Sequence, residues 1–228
     1  MDLLTCLAVL PGLFLVWYVY RQDKIEKEPT GLLLRLLMWG GLTVFVAMFV
    51  EMGLVEVDKL FFDEKSTAFL LVENFLCVAL VEEYVKYRVL KKTWTNPAFD
   101  YCFDGIVYAV CASMGFAILE NIFYVFENGV DVAIVRAITS LPGHCIFGIY
   151  MGYYYGIAKM KAVQGDNSGM SWSLKQALWV PTLLHGFYDY CLSGNDEMLM
   201  LAFLVFVIAL DFKAYKKLKE ASLGDHHF

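Results

Sequence analysis

The sequence predicts an all-α fold: a polytopic membrane helix bundle of about seven transmembrane helices, with the amino terminus outside and the carboxyl terminus cytoplasmic. Three observations predict it. Of the 228 residues, 59% are apolar and only 18% charged, and mean hydropathy is positive where a soluble domain lies near or below zero. The apolar residues gather into runs close to the roughly 20 residues that cross about 30 Å of hydrocarbon. Lys and Arg collect at alternate ends of those runs, as they do where loops stay in the cytoplasm.

The segments follow in order. Leu3–Tyr20 lacks a basic leader, carries Asp2 before it, and has Arg21, Lys24 and Lys27 after it, so it reads as a permanent span rather than a cleaved signal. Gly31–Gly53 is the second span and Thr67–Leu90 the third, ending on Arg88, Lys91 and Lys92. Tyr101–Phe126 and Val132–Ile157 are the fourth and fifth, with Arg136 at the outer edge of the fifth. Lys159, Lys161 and Lys175 flank the loop to the sixth span, Ser173–Leu192. Met198–Phe212 is short, yet without it Lys213, Lys216, Lys217 and Lys219 would be stranded outside. Outer loops hold only Lys59, Lys65 and Arg136. No linker, low-complexity tract or internal repeat divides the chain, so residues 1–228 read as a single domain.

Composition removes other classes. The net charge of -6 leaves no basic face for nucleic acid. Cys6, Cys77, Cys102, Cys111, Cys145 and Cys191 lie in or beside apolar runs with no C-x-x-C pair, and read as small core residues rather than disulfides or zinc ligands.

His144, Gly148, Gly152 and Gly156 recur every four residues and share one face of the fifth helix. Small residues at that spacing let a second backbone approach closely, which is how helices associate in lipid. The face reads as a packing seam, and it turns His144 into the bundle.

A charged group in hydrocarbon costs a few kcal/mol and needs a partner or a purpose. Lys86 follows Glu82 by four residues and Glu83 by three, so one helix face can pair it with either. His185 and Asp189 are four apart, and the Asp can orient the imidazole by accepting a ring N–H. Glu120 and Asn121 interrupt an apolar, aromatic run, and Asp104 lies near the inner boundary of its span. An ion-pair knot would explain Glu82, Glu83 and Lys86, and simple hydration Asp104; groups on four helices are harder to explain so. Glu51, Glu56, Glu73, Glu127 and Asp131 read as hydrated outer-boundary acids, and Asp225-His226-His227-Phe228 as a solvated end. If Glu73-Asn74 marks the outer headgroup layer, Glu82 lies about 12 Å down, level with Glu120, His144 and His185.

These residues form a pattern. Glu82-Glu83-x-x-Lys86, Tyr101-x-x-Asp104-Gly-Ile-Val-Tyr108, Gly115-Phe116-Ala-x-x-Glu120-Asn121-x-x-Tyr124, the single His144 and Leu184-His185-Gly-x-Tyr-Asp189 resemble the PrsW family of intramembrane proteases along most of the chain, together with Pro11-Gly12 and Glu28-Pro29. That family is related to the CAAX-prenyl endopeptidases and the bacteriocin-processing proteins. The resemblance implies a multi-pass cell-membrane enzyme that cleaves a single-span, membrane-anchored protein, typically an anti-sigma factor in envelope-stress signalling. It carries the paired glutamates onto Glu82 and Glu83, the second-motif acid onto Glu120 and the histidines onto His144 and His185. The wider group usually has His at the second motif and often Asn at the last, where this chain has Glu120 and Asp189.

The expected chemistry is glutamic-type hydrolysis by an activated water. Glu82 is the general base, Glu83 and Lys86 tune it, and His144 and His185 polarise the carbonyl or protonate the leaving amine. Asp189 orients His185, Glu120 and Asn121 position the water or a second proton, and Asp104 and Phe116 support. No cofactor is expected. Zinc on the same groups is the alternative, although no H-E-x-x-H supplies it from one helix. From another class, a proton-coupled transporter would also bury carboxylates and histidines, but it typically shows repeated halves and broken helices, which are absent from the sequence pattern. A bis-histidine haem protein on His144 and His185 is the weaker competitor.

Overall fold

Hydrocarbon leaves a spanning backbone little choice but to bond to itself in helices. The computed structural model, which describes residues 3–194 and 196–228, is helical in this way. Asp2 lies outside the described residues. The helices are α1 (Leu3–Gln22), α2 (Thr30–Asp58), α3 (Thr67–Val72), α4 (Leu80–Leu90), α5 (Asp104–Asn128), α6 (Val130–Ile138), α7 (Ser140–Val163), α8 (Asn167–Ser193) and α9 (Glu197–Leu223). A π-helical stretch, Glu73–Ala79, joins α3 to α4 without a break, and α6 meets α7 at Thr139. The nine thus form seven rods among the described residues, at the places the apolar runs mark.

Capping residues set several starts. Ser66 Oγ accepts from Phe69 N–H at 3.1 Å before α3, Asp166 Oδ1 from Gly169 N–H at 2.8 Å before α8, and Asp196 Oδ1 from Met198 N–H at 2.8 Å before α9. Two expectations change. The last helix is not short: it continues through the basic tail to Leu223, with Lys213, Lys216 and Lys219 exposed and Lys217 half-buried over the Tyr153 ring. The fifth span is interrupted at Thr139, because Pro142 has no N–H to continue the α6 ladder and sits instead in the first turn of α7, where none is needed.

Five helical rods are long and apolar enough to cross a membrane: α1, α2, α5, α6 with α7, and α9. The α3–α4 and α8 rods, which carry the polar motifs, are not among them. Burial separates centre from rim. The apolar window of α5 is 78% buried, against 17% in α1 and α9, so α5 is the axis around which the rest pack. Large apolar side chains such as Phe49, 80% exposed, and Phe212, 70% exposed, point outward from α2 and α9, as a lipid-facing surface requires.

The close approaches to α5 are made by glycines. A Cβ on Gly152 would overlap the Gly105 carbonyl and one on Gly156 the Cys102 carbonyl, while Gly148 faces Ser113 at 3.1 Å. The glycine face of α7 is therefore the α5 seam. A second seam, which the sequence reading did not single out, sets Gly40 of α2 against Ala112 and Gly115 of α5 against Leu37.

Candidate active site

The α3–α4 rod supplies the centre. The π turns just before Glu82 widen the helix, and such bulges often accompany functional sites. Glu73, Asn74, Val78 and Glu82 all face one cleft, and Asn74 accepts a 2.9 Å hydrogen bond from Ser193 Oγ at the end of α8. Lys86 Nζ donates to Glu82 Oε2 at 2.9 Å and to Glu83 Oε1 at 2.8 Å, the pairings that helical spacing predicts. It makes a third contact, 3.2 Å to His144 Nδ1 on α7, and lies 4.2 Å from the centre of the Phe116 ring. An ammonium has only N–H to offer, so Nδ1 accepts and the ring proton of neutral His144 sits on Nε2. That nitrogen lies 3.3 Å from Glu120 Oε2.

His185 of α8 closes the group. Its Nδ1 is 3.0 Å from Glu83 Oε1, and its Nε2 is 3.1 Å from Asp189 Oδ2 and 4.0 Å from Glu82 Oε2. The i,i+4 pairing of His185 with Asp189 is as expected. Phe147 stacks on the imidazole at 4.8 Å between centroids, and the two histidine rings lie edge to face at 5.1 Å. The acids of α4 and α5 thus meet the imidazoles of α7 and α8, as the shallower register of the third span requires.

Arg136, read from the sequence only as a charge at the outer edge of its span, is a site residue that sequence reasoning missed. Near the end of α6, just before the break at Thr139, Arg136 reaches Glu120 Oε2 with Nη2 at 2.6 Å and donates from Nε to Asn121 Oδ1 at 3.0 Å. Its guanidinium also covers the Tyr124 ring at 4.0 Å. Asn121 is buried, and its Nδ2 donates to the Ala8 carbonyl of α1 at 2.9 Å. It ties α1, α5 and α6 together instead of positioning water, a correction to the expected role.

Asp104 is also corrected. It lies at the opposite end of α5, 16 residues or about 24 Å from Glu120 along the axis, and has no place in this site. Gly148, Gly152 and Gly156 stay at the seam and do not line the cleft. Glu51, expected as a hydrated boundary acid, lines the cleft and has a buried Oε1 with no hydrogen-bond partner. Its signal was available: Val44, Ala47 and Glu51 continue the buried face of α2 at helical spacing.

The cleft holds about 440 Å³, with Glu82, Glu120, Arg136, His144, His185 and Asp189 in its wall. It shares Glu51, Val78, Glu82, Glu120 and Tyr124 with a more apolar groove of about 500 Å³ between α2 and α5. Glu82 opens to the cleft, whereas Glu83 is 0% exposed behind it. Glu82, Glu83, His144 and His185 offer ligand atoms within 4.8 Å of one another, a donor set that zinc accepts. The Lys86 ammonium lies against three of the four.

Comparison with known proteins finds relatives along nearly the whole chain. Residues 28–211 match the family model described as PrsW family intramembrane metalloprotease. The chain is 36% identical to protease PrsW of Geobacillus kaustophilus over 94% of its own length and 90% of that protein's. It is 34% identical to protease PrsW of Bacillus subtilis over 95% of both chains, and 31% identical to that of Clostridioides difficile over 90% and 85%. No solved structure matches. The motifs, the multi-pass helices and the full-length likeness lead to one assignment: this chain belongs to the PrsW family of intramembrane proteases.

Proposed function

We propose that the chain is a glutamic-type intramembrane endopeptidase acting as a single domain, and that Glu82 is its general base. The observation that carries this reading is the division of labour between adjacent carboxylates: Glu82 faces the cleft while Glu83 is sealed behind it, with Lys86 bridging both. A water in the cleft gives its proton to Glu82 as it attacks the scissile carbonyl carbon. The ammonium of Lys86 holds the two acids in place and offsets the repulsion between them. His144, which carries its proton on Nε2, presents that N–H to the cleft beside Glu120, where it can stabilise the developing oxyanion. Asp189 and Glu83 hold His185 from both ring nitrogens, fixing the ring for proton delivery to the leaving amine.

Metal-dependent hydrolysis, the chemistry in the family's description, fits these residues poorly. Lys86 engages one oxygen of each glutamate and His144 Nδ1, so a dication would have the second oxygens, among them the unpartnered Glu83 Oε2, but would set two positive centres against each other in a buried site. Metal content of the purified protein and cleavage in chelator test this. Metal-free, chelator-resistant activity is expected, and a stoichiometric metal whose removal abolishes cleavage would overturn the reading.

The substrate is a single-span membrane protein, anti-sigma-factor-like, whose segment enters along the apolar groove from the lipid. Support comes from the continuity of that groove with the cleft through Glu82 and Glu120. The lysine distribution supports an outer amino terminus and an inner carboxyl terminus. The decisive experiment is reconstitution with such a substrate. Glu82→Gln is expected to lower the cleavage rate about 10²- to 10⁴-fold while the melting midpoint stays near wild type. Cleavage at the wild-type rate would remove Glu82 from the base role.

A further inference from the structure

A second group of acids is buried far from the cleft. Asp104 opens α5, and Asp23 and Glu28 lie in the connection between α1 and α2. Their exposures are 1%, 3% and 4%, and one carboxylate oxygen of each lies within 4.8 Å of the others. Asp104 Oδ2 accepts from the backbone N–H groups of Tyr101 at 2.7 Å and Asp100 at 3.1 Å. The Tyr108 hydroxyl contacts Glu28 and lies 2.7 Å from the Ala98 carbonyl, and its single proton can serve only one of them.

Asp23 Oδ2 is buried with no hydrogen-bond partner. The Lys27 ammonium lies nearby but donates to the backbone carbonyls of Tyr20 and Asp23 rather than to a carboxylate. Among the described residues, no Lys or Arg forms an ion pair with any of the three carboxylates. Three ionised carboxylates this close, withdrawn from water, require a countercharge or protons.

We propose that Asp23, Glu28 and Asp104 form a site for a hard divalent cation of the Mg²⁺ or Ca²⁺ class, at the end of the bundle opposite the cleft. The chemistry is that of such ions, which favour oxygen ligands and carboxylates above all. The buried, unpartnered Asp23 oxygen, on a side chain whose carboxylate lies within 4.8 Å of two others, is the observation that points to a ligand rather than to packing alone. Binding draws together the α1–α2 connection and the start of α5. The carboxyl-terminal tail joins the same corner: Asp225 Oδ1 accepts from Phe103 N–H at 2.9 Å, and Phe228 N–H donates to the Asp100 carbonyl at 2.9 Å. The site is independent of the catalytic reading, since about 24 Å of helix separates Asp104 from Glu120.

The test uses the full chain in detergent, in a Glu82→Gln background that removes one carboxylate of the catalytic cluster, so that any emission from the remaining cleft acids is told apart by its survival in the Asp23 and Glu28 variants. Terbium luminescence excited through tyrosine reads the site directly, with Tyr108 beside Glu28. Saturable emission is expected, displaced by Mg²⁺ or Ca²⁺, with the ion effective at lower concentration identifying the better occupant. Asp23→Asn and Glu28→Gln are each expected to abolish it. Thermal unfolding supplies a second readout. Mg²⁺ or Ca²⁺ raises the wild-type midpoint, the Asn variant does not respond, and in chelator that variant melts above wild type. A wild-type midpoint raised by acid but unmoved by either cation identifies a shared-proton cluster and overturns the proposal. Emission that survives both substitutions also overturns it.

Discussion

The two ends of α5 bury acids on different terms. At the cleft, Glu82 and Glu83 share the ammonium of Lys86, and Glu120 has the guanidinium of Arg136. At the other end, Asp23, Glu28 and Asp104 come together with no cationic side chain paired to them among the described residues. The difference bears on function. A carboxylate whose countercharge is covalently part of the fold is ready to take a proton whatever the surrounding ion concentration, as a general base must be. A carboxylate cluster without one takes its charge state from what binds it.

Removing the built-in countercharge is the strongest way to break that contrast. Lys86→Met leaves Glu82 and Glu83 adjacent and unpaired, and takes the donor from His144 Nδ1. A loss of about 3–5 kcal/mol is expected from an uncompensated buried charge, measured by denaturant unfolding of the purified protein. Adding Glu83→Gln should recover part of it, because a neutral amide replaces one of the two charges. If Lys86→Met unfolds with the wild type, the ammonium is not what holds the acids together, and the two ends of α5 do not differ as described.

Between the two clusters, α5 is held against α7 by Gly105 and Gly152, where an added Cβ meets a backbone carbonyl that cannot turn aside. Gly152→Ala is expected to cost about 1–3 kcal/mol by overpacking. Cleavage should fall with it, since α5 carries Glu120 and α7 carries His144. The same substitution at Gly53, which has open space around it, is the matched control. Equal effects at the two glycines would remove the seam from the account.

How much of this was legible in the sequence depends on the range of each contact. Lys86 with Glu82 and Glu83, and His185 with Asp189, are neighbours on single helices, so spacing alone reveals them. The segments followed from apolar length, and the glycine seam from its four-residue period. The Lys86 to His144 contact joins residues 58 apart, and no periodicity encodes it. Arg136 was hidden because a continuous apolar run conceals the break that Pro142 imposes. Glu51 was lost by ending its span at Gly53 when the helix continues to Asp58. The tail looked solvated because its composition is polar, yet Tyr101 and His227 form a β-bridge and Phe228 packs on Phe99 at 5.4 Å. A polar tail says nothing about the backbone partners that wait for it.

The smallest effect is expected from an acid that belongs to neither end. Asp166 is exposed to water and caps α8, accepting from Gly169 N–H at 2.8 Å, with Lys161 at 3.4 Å. The backbone hydrogen bond, followed by the lysine, holds its carboxyl below the usual carboxylate range. Because the folded state binds this proton less readily than the unfolded chain, the stabilisation is present above the ordinary carboxylate pKa, near about 4, and is lost as pH falls through the folded value. Asp166→Asn keeps a good capping group but cannot titrate, so its stability relative to wild type should rise as the medium is acidified below about 4. Asp166→Ala loses the cap as well, and should be less stable than wild type at neutral pH but converge toward it in acid. Parallel pH profiles for wild type and Asp166→Asn would mean that the carboxylate adds nothing beyond what a neutral oxygen supplies. Water and salt already satisfy an exposed charge of this kind, which is why the buried acids at the two ends of α5 dominate the electrostatics of this protein.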